Sequence, residues 1–259
     1  MVLNQITMAM VSDCLHHVFE ALRCLEKRKI IVAINLLRKP LKDNLTYLAW
    51  MLGDEDSFYA EFMTGEPERL THSRLGNKRL EIFTKAIART RLANMLDASI
   101  LNALLFDRRR TDGLEGYFQH AVHLVTIQHL ELRTAPKNFN FIFANPEEDE
   151  IYHVVYAILP YALLFLSHVC AALFDRIRAM DDGARNAFYV RSTCGYCLVE
   201  GKGKTEDMLD EVLSQSLVCP KCKSKFQISR HSAARIVLTE SYRCSKCRRV
   251  SPFPFSWLF

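Results

Sequence analysis

The sequence predicts a mainly α protein in two parts: an N-terminal helical bundle over residues 1–182, and a small β-rich, metal-binding domain over residues 183–259. Three observations carry this. Apolar residues recur with a helical period through the first two-thirds of the chain. Only eight Pro and nine Gly occur among 259 residues, too few for an all-β chain built on many tight turns. Six of the nine cysteines stand in three Cys-x-x-Cys pairs, all in the last third. Hydrophobic residues at 49% and charged residues at 24% exclude a disordered or collagen-like chain.

Residues 4–27 set Ile6, Met10, Cys14, Val18, Leu22 and Leu25 on one stripe, predicting an amphipathic helix. A second helix is expected over 29–52, kinked or broken at Pro40, which has no N–H to donate. Gly53-Asp54-Glu55-Asp56 reads as a stop and a restart, with a short helix through Phe62. Long helices are expected over 77–106 and 112–132. Residues 134–146 hold two prolines, three asparagines and three phenylalanines, which predicts an ordered loop.

Residues 151–174 contain no Asp, Glu, Lys or Arg, a stretch of 24 residues that is long enough to cross a bilayer. The same stretch holds His153, His168, Tyr152, Tyr156, Tyr161 and Pro160. The expectation is therefore a central bundle helix buried on all sides, with no membrane partner. Asp181-Asp182-Gly183 is expected to end the helical part. Short β-type runs follow at Phe188-Tyr189-Val190, Phe226-Gln227-Ile228 and Ile236-Val237-Leu238. One helix over 205–217 interrupts them, with Thr205 as N-cap and Glu206-Asp207 in its first turn.

The formal charge of +5 is unevenly placed. Residues 183–259 carry 13 Lys and Arg against 6 Asp and Glu, whereas residues 1–182 carry 21 against 23. An odd cysteine count, paired cysteine spacing and an N-terminus without a secretory pattern argue for a reduced, cytoplasmic protein rather than a disulfide framework.

The pairs Cys194/Cys197, Cys219/Cys222 and Cys244/Cys247 carry the strongest chemistry in the chain. A two-residue spacer lets one tight turn offer two sulfurs to one metal, and two such turns supply the four tetrahedral ligands that Zn²⁺ prefers. Twenty-one residues separate the first pair from the second, and again the second from the third. Spacing alone therefore leaves open which pairs share a metal, and whether a second site uses His231. The stretch VCPKCKSKFQI…RIVLTESYRCSKCRRVSPF resembles the zinc ribbon family over about 40 residues. That resemblance implies a knuckle–strand–strand–knuckle–strand order, with Cys219, Cys222, Cys244 and Cys247 on one Zn²⁺.

Basic residues crowd the second and third pairs: Lys221, Lys223, Lys225, Lys246, Arg248 and Arg249. They are the candidate nucleic-acid contacts, with Tyr196, Tyr242, Phe253 and Trp257 as candidate stacking platforms. The same cations also offset thiolate charge. The tail SPFPFSWLF is a candidate protein-docking segment.

In the helical part, His120 and His123 lie three residues apart, and Glu150-x-x-His153 matches half of a di-iron bundle site. No phosphate loop or nucleophile motif occurs. The run LLRKPLKDNLTYLAWMLGDEDSFYAEFM over 36–63, with the later histidine-bearing helices, is similar to HEPN-type helical domains of prokaryotic defence systems. Members that cleave RNA carry an Arg, four to six residues, then a His. Here Arg110 and His120 have nine residues between them, and Arg69 and His72 have two. The resemblance therefore assigns no catalytic residue. The function expected first is a non-enzymatic zinc-binding, nucleic-acid-associated protein, a defence or regulatory component. The alternatives are a HEPN-like metal-independent RNase and a structural protein-interaction subunit.

Overall fold

A computed structural model of the chain describes residues 2–123, 148–200, 218–225, 227 and 229–252. The chain divides into two compact units, residues 1–177 and 178–259. The expected loop over 134–146, the helix over 205–217 and the tail from Phe253 lie outside the described residues.

All regular secondary structure described in the first unit is helical. Helix α1 (Val2–Glu26) buries the stripe Thr7, Val11, Cys14, Ala21 and Leu25, one residue round from the expected Ile6–Met10 line. Pro40 does not break the next segment. Helix α2 (Ile30–Arg38) passes through a π-helical turn (Lys39–Asn44) into α3 (Leu45–Gly53). The wider turn absorbs the missing proline N–H, so the expected break becomes a bulge. Asp54 then caps α4 (Glu55–Met63) by accepting from the Ser57 N–H at 3.1 Å.

After a single turn, α5 (His72–Leu75), the expected long helix over 77–106 is two helices, α6 (Arg79–Arg89) and α7 (Ala98–Phe106). Asp97 starts the second by accepting from the N–H groups of Ser99 and Ile100 at 2.7 and 3.3 Å. An N-cap aspartate competes with helix continuation, and here it wins. Gly53 lets α3 and α6 approach, since a Cβ there would sit 2.9 Å from the Cβ of Lys85.

Helix α8 (Leu114–Val122) is followed by α9 (Glu148–Ile177), which contains Pro160. By length and composition α9 is able to cross a membrane, and half of its most apolar window is buried within the unit. Its tyrosines have partners: the Tyr152 hydroxyl donates to the Leu25 carbonyl at 3.2 Å, and the Tyr161 hydroxyl accepts from the Asp97 N–H at 2.9 Å. Phe165 meets Phe83 edge-on at 5.7 Å in the core. Tyr156 is exposed, so α9 is a core helix with one open side and is not buried all round.

The π turn points Lys42 inward. Its ammonium pairs with Glu115 of α8, and both side chains are less than a tenth exposed. The Gln119 amide also donates to Glu115 at 3.0 Å. The Arg79 guanidinium carbon lies over the Phe106 ring, 3.7 Å from its centre, and the Lys42 ammonium stands 5.2 Å from the same ring.

The second unit corrects the expectation of a β-rich domain. Helix α10 (Asp182–Glu200) contains Phe188-Tyr189-Val190, and α11 (Arg230–Thr239) contains Ile236-Val237-Leu238. The described sheet is one antiparallel pair, β1 (Ser241–Arg243) with β2 (Val250–Pro252). Local capping decides both cases. The Asp181 carboxylate accepts from the Ala184 N–H at 2.9 Å and so begins a helix, where the Asp-Asp-Gly pattern predicts an end. Ser229 and Ser232 form a reciprocal capping box that starts α11. The apolar run Ile-Val-Leu then follows helical geometry, with Ile236 buried and Leu238 exposed.

Two predictions follow from the first unit's buried polar groups. Glu115→Gln should destabilise it by about 3 kcal/mol, because buried Lys42 would lose its counter-charge and have either to keep its charge in the core or to give up its proton. A Lys42→Met/Glu115→Leu double variant should recover most of that loss in urea melts. Burial, and then the charge of Arg91, lowers the His168 imidazole to about 4 from 6.5. A native pKa below the unfolded one means that the unfolded chain takes up a proton the native state refuses. Stability should therefore fall by roughly 3 kcal/mol as pH drops from about 6.5 to 4, and level off below. His168→Gln should flatten that limb in pH-dependent melts.

Candidate metal centre

Two turns of the same construction meet in the second unit. In the first, the Cys219 N–H donates to the Ser224 carbonyl and the Lys223 N–H to the Cys219 carbonyl, both at 2.9 Å. In the second, the Cys244 N–H donates to the Arg249 carbonyl at 2.9 Å and the Arg248 N–H to the Cys244 carbonyl at 3.0 Å. Extended pairing closes each turn at matching positions, Val218 with Lys225 and Arg243 with Val250. The residue after the second cysteine is left-handed in both, Lys223 at φ 56° and Arg248 at φ 58°.

The turns bring four sulfurs together. Cys219 faces Cys247 at 3.6 Å, Cys222 faces Cys244 at 3.6 Å, and all four Sγ atoms lie within 4.8 Å of one another. A disulfide needs about 2.05 Å. A tetrahedral ion with metal–sulfur bonds of about 2.3 Å places its sulfurs about 3.8 Å apart. The separations match the second geometry, so this is an arrangement able to hold a metal ion. It couples the second and third Cys-x-x-Cys pairs, a choice that the equal spacing in the sequence left open.

The electrostatics suit a cation. The Cys247 N–H, then the Ser224 hydroxyl, stabilise the Cys244 thiolate and bring it down to about 6. Ser224 also lowers Cys222, through its hydroxyl and then its backbone. At Cys247 the Arg249 N–H favours the thiolate, but burial and the three other sulfurs prevail and raise it to about 11. Four thiolates in one place repel, and the last ones ionise readily only when a cation shares the site. Ser224, whose Oγ lies 3.0 Å from Cys222 and 3.2 Å from Cys244, was not singled out from the sequence. A serine two residues past a cysteine carries no signal of its own until the opposite turn is in place.

The remaining candidates are dispersed. Cys194 and Cys197 sit in the helical backbone of α10 rather than in a tight turn, and their side chains lie outside the described residues. Lys221, Lys223, Lys225, Lys246, Arg248 and Arg249 are all exposed around the two turns. Tyr242 is buried, which removes it as a stacking platform, and Tyr196 is half-buried. His231 is exposed near the start of α11, outside the sulfur cluster. Burial raises the thiol of Cys14 to about 11 and that of Cys170 to about 12, which makes both poor nucleophiles.

In the first unit His120 is buried, whereas His123 is exposed beyond the end of α8, so the two occupy different environments. Arg110 is engaged by Asp112 through two hydrogen bonds, at 2.9 and 2.5 Å. Glu150 and His153 are both exposed. Among the described residues the four-cysteine cluster is the one group assembled for a metal. No protein-family model, curated protein or solved structure matches the chain.

Purified protein should contain about one metal ion per chain at the four sulfurs. Cys219→Ser or Cys247→Ser should remove it and unfold the second unit, while Cys194→Ser keeps it. Elemental analysis with circular-dichroism melts checks this. Equal metal loss in Cys194→Ser would overturn the ligand set.

Proposed function

We propose that the second unit is a zinc-ordered module that binds nucleic acid through the phosphate backbone. Four thiolates in near-tetrahedral array are the donor set that favours Zn²⁺ over harder cations. Such an ion would be structural, since four protein ligands leave no open position for substrate.

One observation carries the binding reading. Residues 218–252 hold nine Lys and Arg against a single carboxylate, Glu240, and that carboxylate is paired with Arg191 of α10 at 3.4 Å. Lys221, Lys223, Lys225, Lys246, Arg248 and Arg249 are exposed, and none has a carboxylate partner among the described residues. A Zn–Cys₄ centre carries a charge of about −2, so thiolate balancing accounts for only a small part of this excess. The cations also repeat: Lys221 and Lys246 sit within the two turns, Lys223 and Arg248 directly after them. Short hydrogen-bonded turns fix the backbone from which these charges extend, which limits the backbone entropy lost when phosphates bind. With Tyr242 buried, this reading rests on phosphates and predicts little sequence preference.

Zinc-loaded protein should bind single- and double-stranded nucleic acid at low salt, with a log–log salt slope of roughly −3 to −4 for four or five phosphate contacts. Lys221→Glu/Lys246→Glu/Arg249→Glu should abolish binding and retain the metal. No binding by the wild type in fluorescence-anisotropy titrations would refute the reading and favour a protein-interaction role.

A further inference from the structure

A cavity of about 480 Å³ opens beside the second cysteine turn. Three arginines from three different elements line it: Arg235 of α11, Arg243 of β1 and Arg248 of the turn, joined by His231 and Ser245. No carboxylate is among its described lining residues. Arg235 is held in place, its Nε donating to the Ser241 hydroxyl at 3.0 Å. Arg243 and Arg248 are exposed and have no carboxylate partner among the described residues. The volume falls within the range of small-molecule sites and exceeds what a lone phosphate group needs, so a nucleotide unit is accommodated. Guanidinium groups present paired N–H donors that match phosphate oxygens, a fit that lysine ammonium does not offer.

Backbone conformation adds a second line of argument. Arg248 is left-handed, a region glycine enters without steric cost and other residues avoid. A glycine would adopt this φ more easily, so the side chain of Arg248 comes at a conformational cost, and Arg248→Gly removes the guanidinium without straining the turn. We propose that this cavity seats a phosphate ester of the bound strand, gripped by Arg235, Arg243 and Arg248. The proposal rests on the nucleic-acid reading above and names the group that the module recognises.

The experiment uses the full zinc-loaded chain, with Arg235→Gln and Arg248→Gly. Calorimetry at fixed ionic strength measures inorganic phosphate and a nucleoside monophosphate. Anisotropy measures a single-stranded oligonucleotide with and without a 5′-phosphate. Both variants should keep their zinc and bind every phosphate probe roughly tenfold or more weakly, and Arg248→Gly should melt at or above the wild-type temperature. Tighter binding of the 5′-phosphorylated strand would assign the seat to a chain end, and equal binding to an internal phosphodiester. Variants that bind all probes like the wild type, or an Arg248→Gly chain that loses its zinc, would overturn the seat. Wild type that binds the strand while the variants match it would spare the functional reading. Phosphate binding that is lost in the variants, without strand binding by the wild type, would overturn the functional reading and spare the seat.

Discussion

Four sulfur atoms within 4.8 Å of one another are the constraint on which the second unit depends. Its described core is small: Ala187 and Thr193 of α10, Ile236 of α11, Tyr242, and the cysteines Cys219 and Cys244 themselves. Two three-residue strands add little pairing. These six described residues supply little apolar burial between them, and a cross-link through four side chains ties together the turns that carry two of them. The metal centre and the fold are therefore one problem. Each turn donates N–H groups to its own carbonyls and sulfurs, and each is closed by extended pairing at the same positions, so the two halves are pre-shaped for a single ion.

The ligands were legible in the sequence because a two-residue spacer has few other uses at three places in one chain. Their grouping was not, because equal intervals of 21 residues give no preference. The secondary structure between the turns departs from the sequence expectation for a physical reason. Ile236-Val237-Leu238 is apolar with two β-branched residues, which favours a strand, yet the Ser229–Ser232 capping box upstream commits the chain to helix before that run is reached. Asp181 is a similar case. Asp-Asp-Gly reads as a stop, but an aspartate whose carboxylate meets an N–H three residues on is a start. Capping residues are ambiguous in direction until their acceptors are known.

The first unit shows how backbone phase decides where a charge points. Lys42 lies in a stretch where a lysine normally points to water. The π turn that accommodates Pro40 rotates it inward, against Glu115 and the rings of Phe106 and Phe118. Burial pulls the ammonium towards neutrality and Glu115 pulls it back, with burial the stronger. A single proline thus changes helical phase, and the phase change determines which polar groups the core must satisfy. The periodicity of α2 and α3 was visible in the sequence; the extra residue of the bulge was not.

Left-handed residues connect stability with the proposed activity. Lys223 and Arg248 occupy equivalent positions at which any side chain costs conformational energy, and both are cations. Relief by glycine is available at either place and is used at neither. Strain of this kind persists where something else depends on the side chain. Balancing thiolate charge would not require it, because the cluster needs only about two positive charges and Lys221, Lys246 and Arg249 stand nearby on unstrained backbone. The more economical account is that the turns hold long cationic side chains where a left-handed residue places them, Arg248 at the cavity and Lys223 at the equivalent position of the other turn. On that account the sulfur cluster fixes the turns, the turns fix the cations, and the cations set the affinity for phosphate.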